Sequence, residues 1–165
     1  MTDYKDIIKS HQLWLKGSSK GRPAVFKNCE FIGHNFYGHD LRYIVFENCI
    51  LDGAIFTDAI LDSAKITECE ALNANFSLAK MRLVNFWRSN FSYSDFTGAN
   101  LAGSNFKHTD VFDVNFTGAC VYDTDFRFSN FDTADFTDAQ DANFAHISLE
   151  AYLNKMKGNK NDYDL

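Results

Sequence analysis

A bulky apolar residue returns every fifth position from Phe26 to Phe136, 23 times in succession without an insertion. Neither standard element has that spacing: a strand brings side chains back to one face every two residues, a helix every 3.6. Only Ala71 in the series is small. Two residues before each centre, 20 of the 23 positions hold Ala, Cys, Ser, Thr or Val, and His34, His39 and Ile44 are the exceptions. One residue before the centre Asn or Asp occurs 13 times, and the two positions after it are mostly polar or Gly. A period this regular makes each unit pack only on its neighbours, as in a solenoid. A side of five residues that turns a corner can point its centre and its small residue inward, so that wide and narrow side chains fill a shaft in layers.

The stretch "ANLAGSNFKHTDVFDVNFTGAC" resembles the pentapeptide-repeat family, whose unit is a small residue, Asp or Asn, Leu or Phe, then two variable positions. The resemblance runs over residues 24–138. It implies an all-β solenoid, a right-handed quadrilateral β-helix with four pentapeptides to the turn. Residues 20 apart then stack, and Phe36, Phe56, Phe76, Phe96, Phe116 and Phe136 form one unbroken column. Offset stacking adds roughly 0.5–1.5 kcal/mol per aromatic pair beyond area burial.

Three segments follow. Residues 1–22 are expected to be a helical cap and connector: Ile7, His11, Trp14 and Leu15 lie at helical spacing, with Gly17 as a stop. "IIKSHQLWLKG" is similar to the openings of phage or prophage members of the family. Residues 23–140 are the coil. Over residues 141–165 the register breaks, Asp141 standing where a centre is due. Ser148 and Gly158 bracket a short helix there, with Leu149, Tyr152, Leu153 and Met156 on one face. That face either caps the last turn or, as the resemblance implies for dimerising members, joins two chains in a homodimer.

The core is built from Phe: 14 of the 17 occupy centres. No apolar run opens the chain and none is long enough to span a bilayer, so a cytoplasmic protein without membrane contact is expected. Cys29, Cys49 and Cys69 sit 20 apart at the small position, and Ser89, Thr109 and Ser129 continue the column. They read as small inward thiols; the short C-x-x-C spacing of zinc sites is missing. His11, His34, His39, His108 and His146 show no triad or metal spacing, and the glycines fall at corners of the repeat. No catalysis, cofactor or metal is therefore expected.

The register also assigns each outward charge to one of four faces. The face centred on Phe31 through Phe131 carries Glu30, Asp52, Glu70, Asp110, Asp113 and Asp132; its neighbour, built on the Phe36–Phe136 column, carries Asp58, Asp95, Asp135 and Asp138. These two faces hold ten acids and no base. The third, centred on Leu41 through Val121, balances Asp40, Asp62 and Asp123 against Arg42, Lys80 and Arg82. The fourth, centred on Phe26 through Phe126, sets Lys27, Lys65, Arg88, Lys107 and Arg127 against Glu47, Glu68 and Asp125, and also bears Trp87, His108 and Phe128.

A rod of ~27 Å, at ~4.8 Å per turn, matches duplex DNA carrying ~16 charges at one per ~1.7 Å. Ten carboxylates are of the same order, and such a surface attracts a basic DNA-binding groove. What the resemblance implies is a duplex mimic that occupies the DNA-binding saddle of DNA gyrase or topoisomerase IV. Alternative readings are a decoy for a host defence nuclease and an adaptor that binds through Trp87, Arg88, Lys107, Arg127 and Phe128. Direct nucleic-acid binding is not expected, because the acidic faces would repel a duplex.

Overall fold

The structure, a computed structural model, describes residues 4–140. The chain winds into a β solenoid with 20 residues to the turn. Strands β1 (Val25–Lys27), β2 (Val45–Glu47) and β3 (Lys65–Thr67) pair in parallel in that order, Phe26 opposite Phe46 and Phe46 opposite Ile66. The other sides contribute single parallel bridges at the same offset, from Glu30–Ile50 to Cys120–Gln140. No loop interrupts the coil between them.

Each side needs a corner, and the backbone makes it two residues after the centre. There φ is positive at Gly33, Asn48, Asp58, Gly98 and their equivalents, from Asn28 to Asp138. Gly, Asn and Asp adopt this left-handed conformation readily, whereas other side chains cost roughly 1–2 kcal/mol. Thr133 is the one position in that series without a positive φ, as a β-branched residue would dictate. Tyr43, Leu78, Leu83, Tyr93 and Phe128 take it nonetheless, with their side chains exposed. Leu78 and Leu83 lie over Gly98 and Gly103 of the next turn, where a Cβ would meet the leucine Cδ2 at 2.9 and 2.7 Å.

The Asn/Asp column completes the corner. Its side-chain oxygen accepts the backbone N–H two residues on: Asn35 from Tyr37, Asn75 from Ser77 and Asn115 from Thr117, each at 2.9 Å. Polar residues at the small inward position are satisfied in a similar way. Ser94 Oγ donates to Ala71 O at 2.7 Å and accepts from Ala74 N–H at 3.0 Å, and Ser104 repeats this with Met81 and Val84.

Stacked rings fill the shaft. Along Phe36–Phe136 successive centroids stand 4.8–5.2 Å apart and nearly parallel. A second column, Phe86–Phe106–Phe126, meets the first edge to face, as Phe96 meets Phe86 at 6.1 Å and 87°. Each fully buried ring contributes about 1.5–3 kcal/mol of transfer free energy. In the thiol column Cys49 and Cys69 are buried and Cys29 is half-buried. Cys49 N–H donates to Cys69 Sγ at 3.4 Å, and Cys69 N–H makes the corresponding bond to Ser89 Oγ at 3.0 Å, so sulfur and hydroxyl are interchangeable here. The neighbouring Cys49 sulfur, together with burial, pushes the Cys69 thiol far up.

Helix α1 (Tyr4–Leu15) lies against the first turn. Ile8 and His11 are buried, while Ile7, which packs on the core, and Trp14 and Leu15 are half-buried, so the inner face is the expected one with Ile8 added to it. His11 Nδ1 accepts Ala24 N–H at 3.0 Å. Gly17 (φ +78°) ends the helix: its N–H bonds Trp14 O and Ser18 N–H bonds Leu13 O, closing a Schellman turn. Of the two histidines expected to point inward, His34 is half-buried between Tyr4 and Phe36, but His39 is exposed, its Nδ1 3.0 Å from Tyr37 O. Rings of this size do not fit a slot that elsewhere takes Ala or Ser. Leu149, Tyr152, Leu153 and Met156, the proposed cap or dimer face, lie outside the described residues.

Candidate functional site

The ten acids of the two adjoining faces divide into two groups. Glu30, Asp58, Glu70, Asp110, Asp113, Asp132 and Asp138 are exposed, and none has an ion-pair partner among the described residues. Glu30, Glu70 and Asp110 share one column two turns apart, ~9.6 Å at ~4.8 Å per turn. The remaining three have structural work. Half-buried Asp52 accepts Leu72 N–H at 2.9 Å, and Asp95 and Asp135 accept both N–H and Oγ1–H of the threonine two residues on. Their carboxylates belong to the same corner device as the asparagines, although Asp135 remains exposed.

Charge along the acidic faces is uneven. Asp110, Asp113, Asp132, Asp135 and Asp138 crowd into residues 101–140. The ladder loosens beside them: Val111 N–H bonds the Asn130 side chain at 2.7 Å rather than a backbone carbonyl, and Asp113 N–H bonds Thr133 Oγ1 at 2.8 Å. At the opposite end α1 brings Lys5 and Lys9 beside His34 and His39. Repeat register could not reveal this, since α1 stands outside the repeat; the amphipathic spacing of residues 3–16 was the available signal.

Bases on the other two faces are largely paired with acids of the same face. Arg42 binds Asp40 and Arg82 binds Asp62 on the third; Lys27 binds Glu47 on the fourth. Lys107 and Arg127 converge on Asp125 at 2.9 and 2.7 Å. Burial works to raise the Asp125 pKa, but these two cations outweigh it and hold the carboxyl well below the usual range. Of the expected basic-aromatic patch, Lys107 and Arg127 therefore share one carboxylate and keep a net positive charge between them. Arg88 instead rests over the Trp87 ring at 4.3 Å, and Phe128, 75% exposed, stacks on His108 at 4.8 Å. No group of three or more metal-ligating side chains occurs among the described residues, and no helix among them is long and apolar enough to cross a membrane.

Two family profiles match the chain: "Pentapeptide repeat region" over residues 23–96 and "Pentapeptide repeats (8 copies)" over residues 79–118. The chain belongs to the pentapeptide-repeat family. Among curated proteins none matches it. Solved pentapeptide-repeat structures do. HetL from the cyanobacterium Nostoc sp. strain PCC 7120, involved in heterocyst differentiation regulation, is 17% identical over 72% of this chain, with a TM-score of 0.38; the match spans 58% of HetL. QnrB1, a plasmid-mediated fluoroquinolone resistance protein, is 16% identical over 81% of this chain and 90% of its own, at a TM-score of 0.44. Rfr23 from the cyanobacterium Cyanothece 51142 is 15% identical, covering 76% and 92% of the two chains, at 0.47.

Proposed function

We propose that this pentapeptide-repeat protein is a non-catalytic mimic of duplex DNA that occupies the DNA-binding surface of a DNA-processing enzyme, with DNA gyrase or topoisomerase IV as the first target to test. The observation that carries the reading is the set of seven exposed carboxylates, Glu30, Asp58, Glu70, Asp110, Asp113, Asp132 and Asp138, that have no ion-pair partner among the described residues, on two adjoining faces of an uninterrupted coil. A right-handed, four-sided coil presents them as one continuous strip. Electrostatic complementarity of this kind governs encounter and selectivity, and it weakens with salt. The densest stretch, residues 101–140, is the primary contact.

The test is a supercoiling assay with wild type and a charge-only variant carrying Asn for Asp at positions 110, 113, 132, 135 and 138. Asparagine suits the left-handed corners at 113 and 138 and keeps the turn acceptor at 135, so the fold is retained while five charges go. Inhibition by wild type, weakened roughly tenfold or more in the variant, is the expected result. Equal inhibition by both proteins refutes the acidic contact; none at tens of micromolar removes gyrase as the target. A second reading, an adaptor binding through the fourth face, draws on the exposure of Phe128 and on Arg88 stacked over Trp87. Trp87→Ala with Phe128→Ser abolishes capture of a partner only under that reading.

A further inference from the structure

Cys29, Cys49 and Cys69 stand on successive turns of one inward column. The shaft sets side chains one turn apart at the 4.8 Å seen between the Phe56 and Phe76 rings. That is wider than the ~3.5–4.5 Å a disulfide allows between Cβ atoms. It is close to the span of a linear sulfur–metal–sulfur unit, about 4.6 Å from two metal–thiolate bonds of ~2.3 Å. Cys49 is the pivot of the column. Its hydrogen bond with the Cys69 thiol is the chief influence that lowers its pKa; burial opposes this, and the Cys29 N–H lowers it further. Cys69 keeps its proton, pushed far up by the Cys49 sulfur and by burial. Half-buried Cys29, whose thiol donates to Lys27 O at 3.2 Å, is the end of the ladder that solvent reaches. No group of three ligating side chains exists among the described residues, so a four-ligand zinc site is not built here. Two neighbouring thiolates are instead the donor set of a soft monovalent ion.

We propose that Cys29 and Cys49 form a binding site for one copper(I) ion, held in near-linear, two-coordinate geometry between the first two turns of the coil. Binding releases the two thiol protons to solvent and leaves copper monovalent, so no electron is transferred. Burial and then the neighbouring Cys49 sulfur push the Cys29 thiol up. A cation between the sulfurs removes that repulsion and reduces the charge the shaft must hold. Bound there, the ion clamps the first turn, on which α1 lies, to the second. The site draws on none of the acidic faces. Serine fits this column, because Ser89 Oγ accepts Cys69 N–H just as Cys69 Sγ accepts Cys49 N–H. Cys→Ser variants therefore remove a ligand and keep the ladder bond. Cys120 supplies the control: its neighbours on the adjoining turns are Asn100 and Gln140, not thiols.

The experiment titrates the reduced full chain with copper(I), without oxygen, against the chromogenic chelator bicinchoninate, and X-ray absorption then identifies the atoms bound to the metal. The expected result is one ion per chain with two sulfur neighbours. Cys29→Ser and Cys49→Ser should each weaken binding by roughly a hundredfold or more. Cys69→Ser and Cys120→Ser should bind as wild type does, and zinc(II) should not compete. Copper(I) should also raise the Tm of wild type but not that of Cys49→Ser. Metal-free melting curves check that the variants fold, and Cys29→Ser, at the half-buried end, is the one least able to disturb the packing. No competition with bicinchoninate, equal binding by Cys29→Ser, or nitrogen and oxygen neighbours in place of sulfur overturns the proposal. So does loss of binding in Cys69→Ser or Cys120→Ser with Cys29→Ser unaffected, since the ion would then lie elsewhere.

Discussion

Phe96 and Phe128 are the same residue type in adjoining parts of the repeat, yet truncating them should have opposite consequences. Phe96 is fully buried; its ring stacks on Phe76 at 4.8 Å and Phe116 at 5.2 Å and meets Phe86, Phe91 and Phe106 edge to face at 5.7–6.1 Å. Phe96→Ala removes a complete ring from a shaft whose walls are held by ladder bonds and cannot collapse. Buried Phe→Ala changes cost about 3–5 kcal/mol, and the two lost stacks place this one toward the upper end. In a chain of this size about 4 kcal/mol lowers Tm by roughly 8–16 °C. Phe128 is 75% exposed at a corner, with His108 as its one ring neighbour among the described residues, so Phe128→Ala should change stability by no more than about 0.5 kcal/mol. Urea and thermal unfolding followed by circular dichroism measure both. If Phe96→Ala costs less than about 1.5 kcal/mol, or the two variants prove equal, the shaft is not close-packed and the assignment of centres and corners is wrong.

Three further outcomes follow from the packing. Burial holds the His11 ring below its usual pKa of 6.5, while the Arg42 backbone and Asp40 oppose this; the folded chain thus binds fewer protons than the unfolded one. Its contribution is complete above about pH 6.5 and is lost as pH falls below that, by at most about 1.4 kcal/mol per pH unit. Unfolding measured from pH 7.5 to 5 should show this slope, and His11→Asn, which keeps an acceptor for Ala24 N–H, should flatten it. Asp40, held low chiefly by its hydrogen bond from Arg42, acts in a separate window below about pH 4. Leu83→Asn at a left-handed corner should stabilise the coil by about 0.5–1 kcal/mol, seen as a rise in denaturation midpoint; a loss would mean that the leucine's cover over Gly103 outweighs the backbone cost. Finally, a thiol-alkylating reagent should label half-buried Cys29 and Cys120 in the native protein, while Cys49 and Cys69 react only after unfolding, as peptide mass mapping would show.

The coil was legible in the sequence because one rule, a large residue in and a small residue in, repeats with a fixed step of five. Phe36 could be stacked on Phe56 without knowing a single torsion angle. The acidic faces were legible for the same reason, since face follows from position modulo 20. What the register could not distinguish is a carboxylate that faces a partner from one that closes a corner. Asp110 and Asp95 occupy the same slot of units on adjoining faces, but only Asp95 bonds the residue two positions on. That difference depends on local ladder geometry, which loosens near Asn130. The helix was recognisable by its period, but not the burial of Ile8, which depends on how α1 docks on the first turn, where Tyr4 meets Phe31 and His11 accepts Ala24 N–H. The grouping of Lys5 and Lys9 with His34 and His39 joins α1 to the coil; the period of α1 announced a helix there but not which coil residues it would meet.

The unbroken 20-residue offset also governs how a molecule like this can change in size. One inserted residue anywhere along the winding would send every later large side chain into solvent and every later corner into the shaft. Growth by five residues keeps the core pattern, but only growth in whole circuits, each adding ~4.8 Å of length, also keeps every face in line. Reach is consequently quantised: a lineage fitting such a rod to a longer groove must duplicate 20-residue blocks, and each duplication copies a complete pattern of outward charge along with the length.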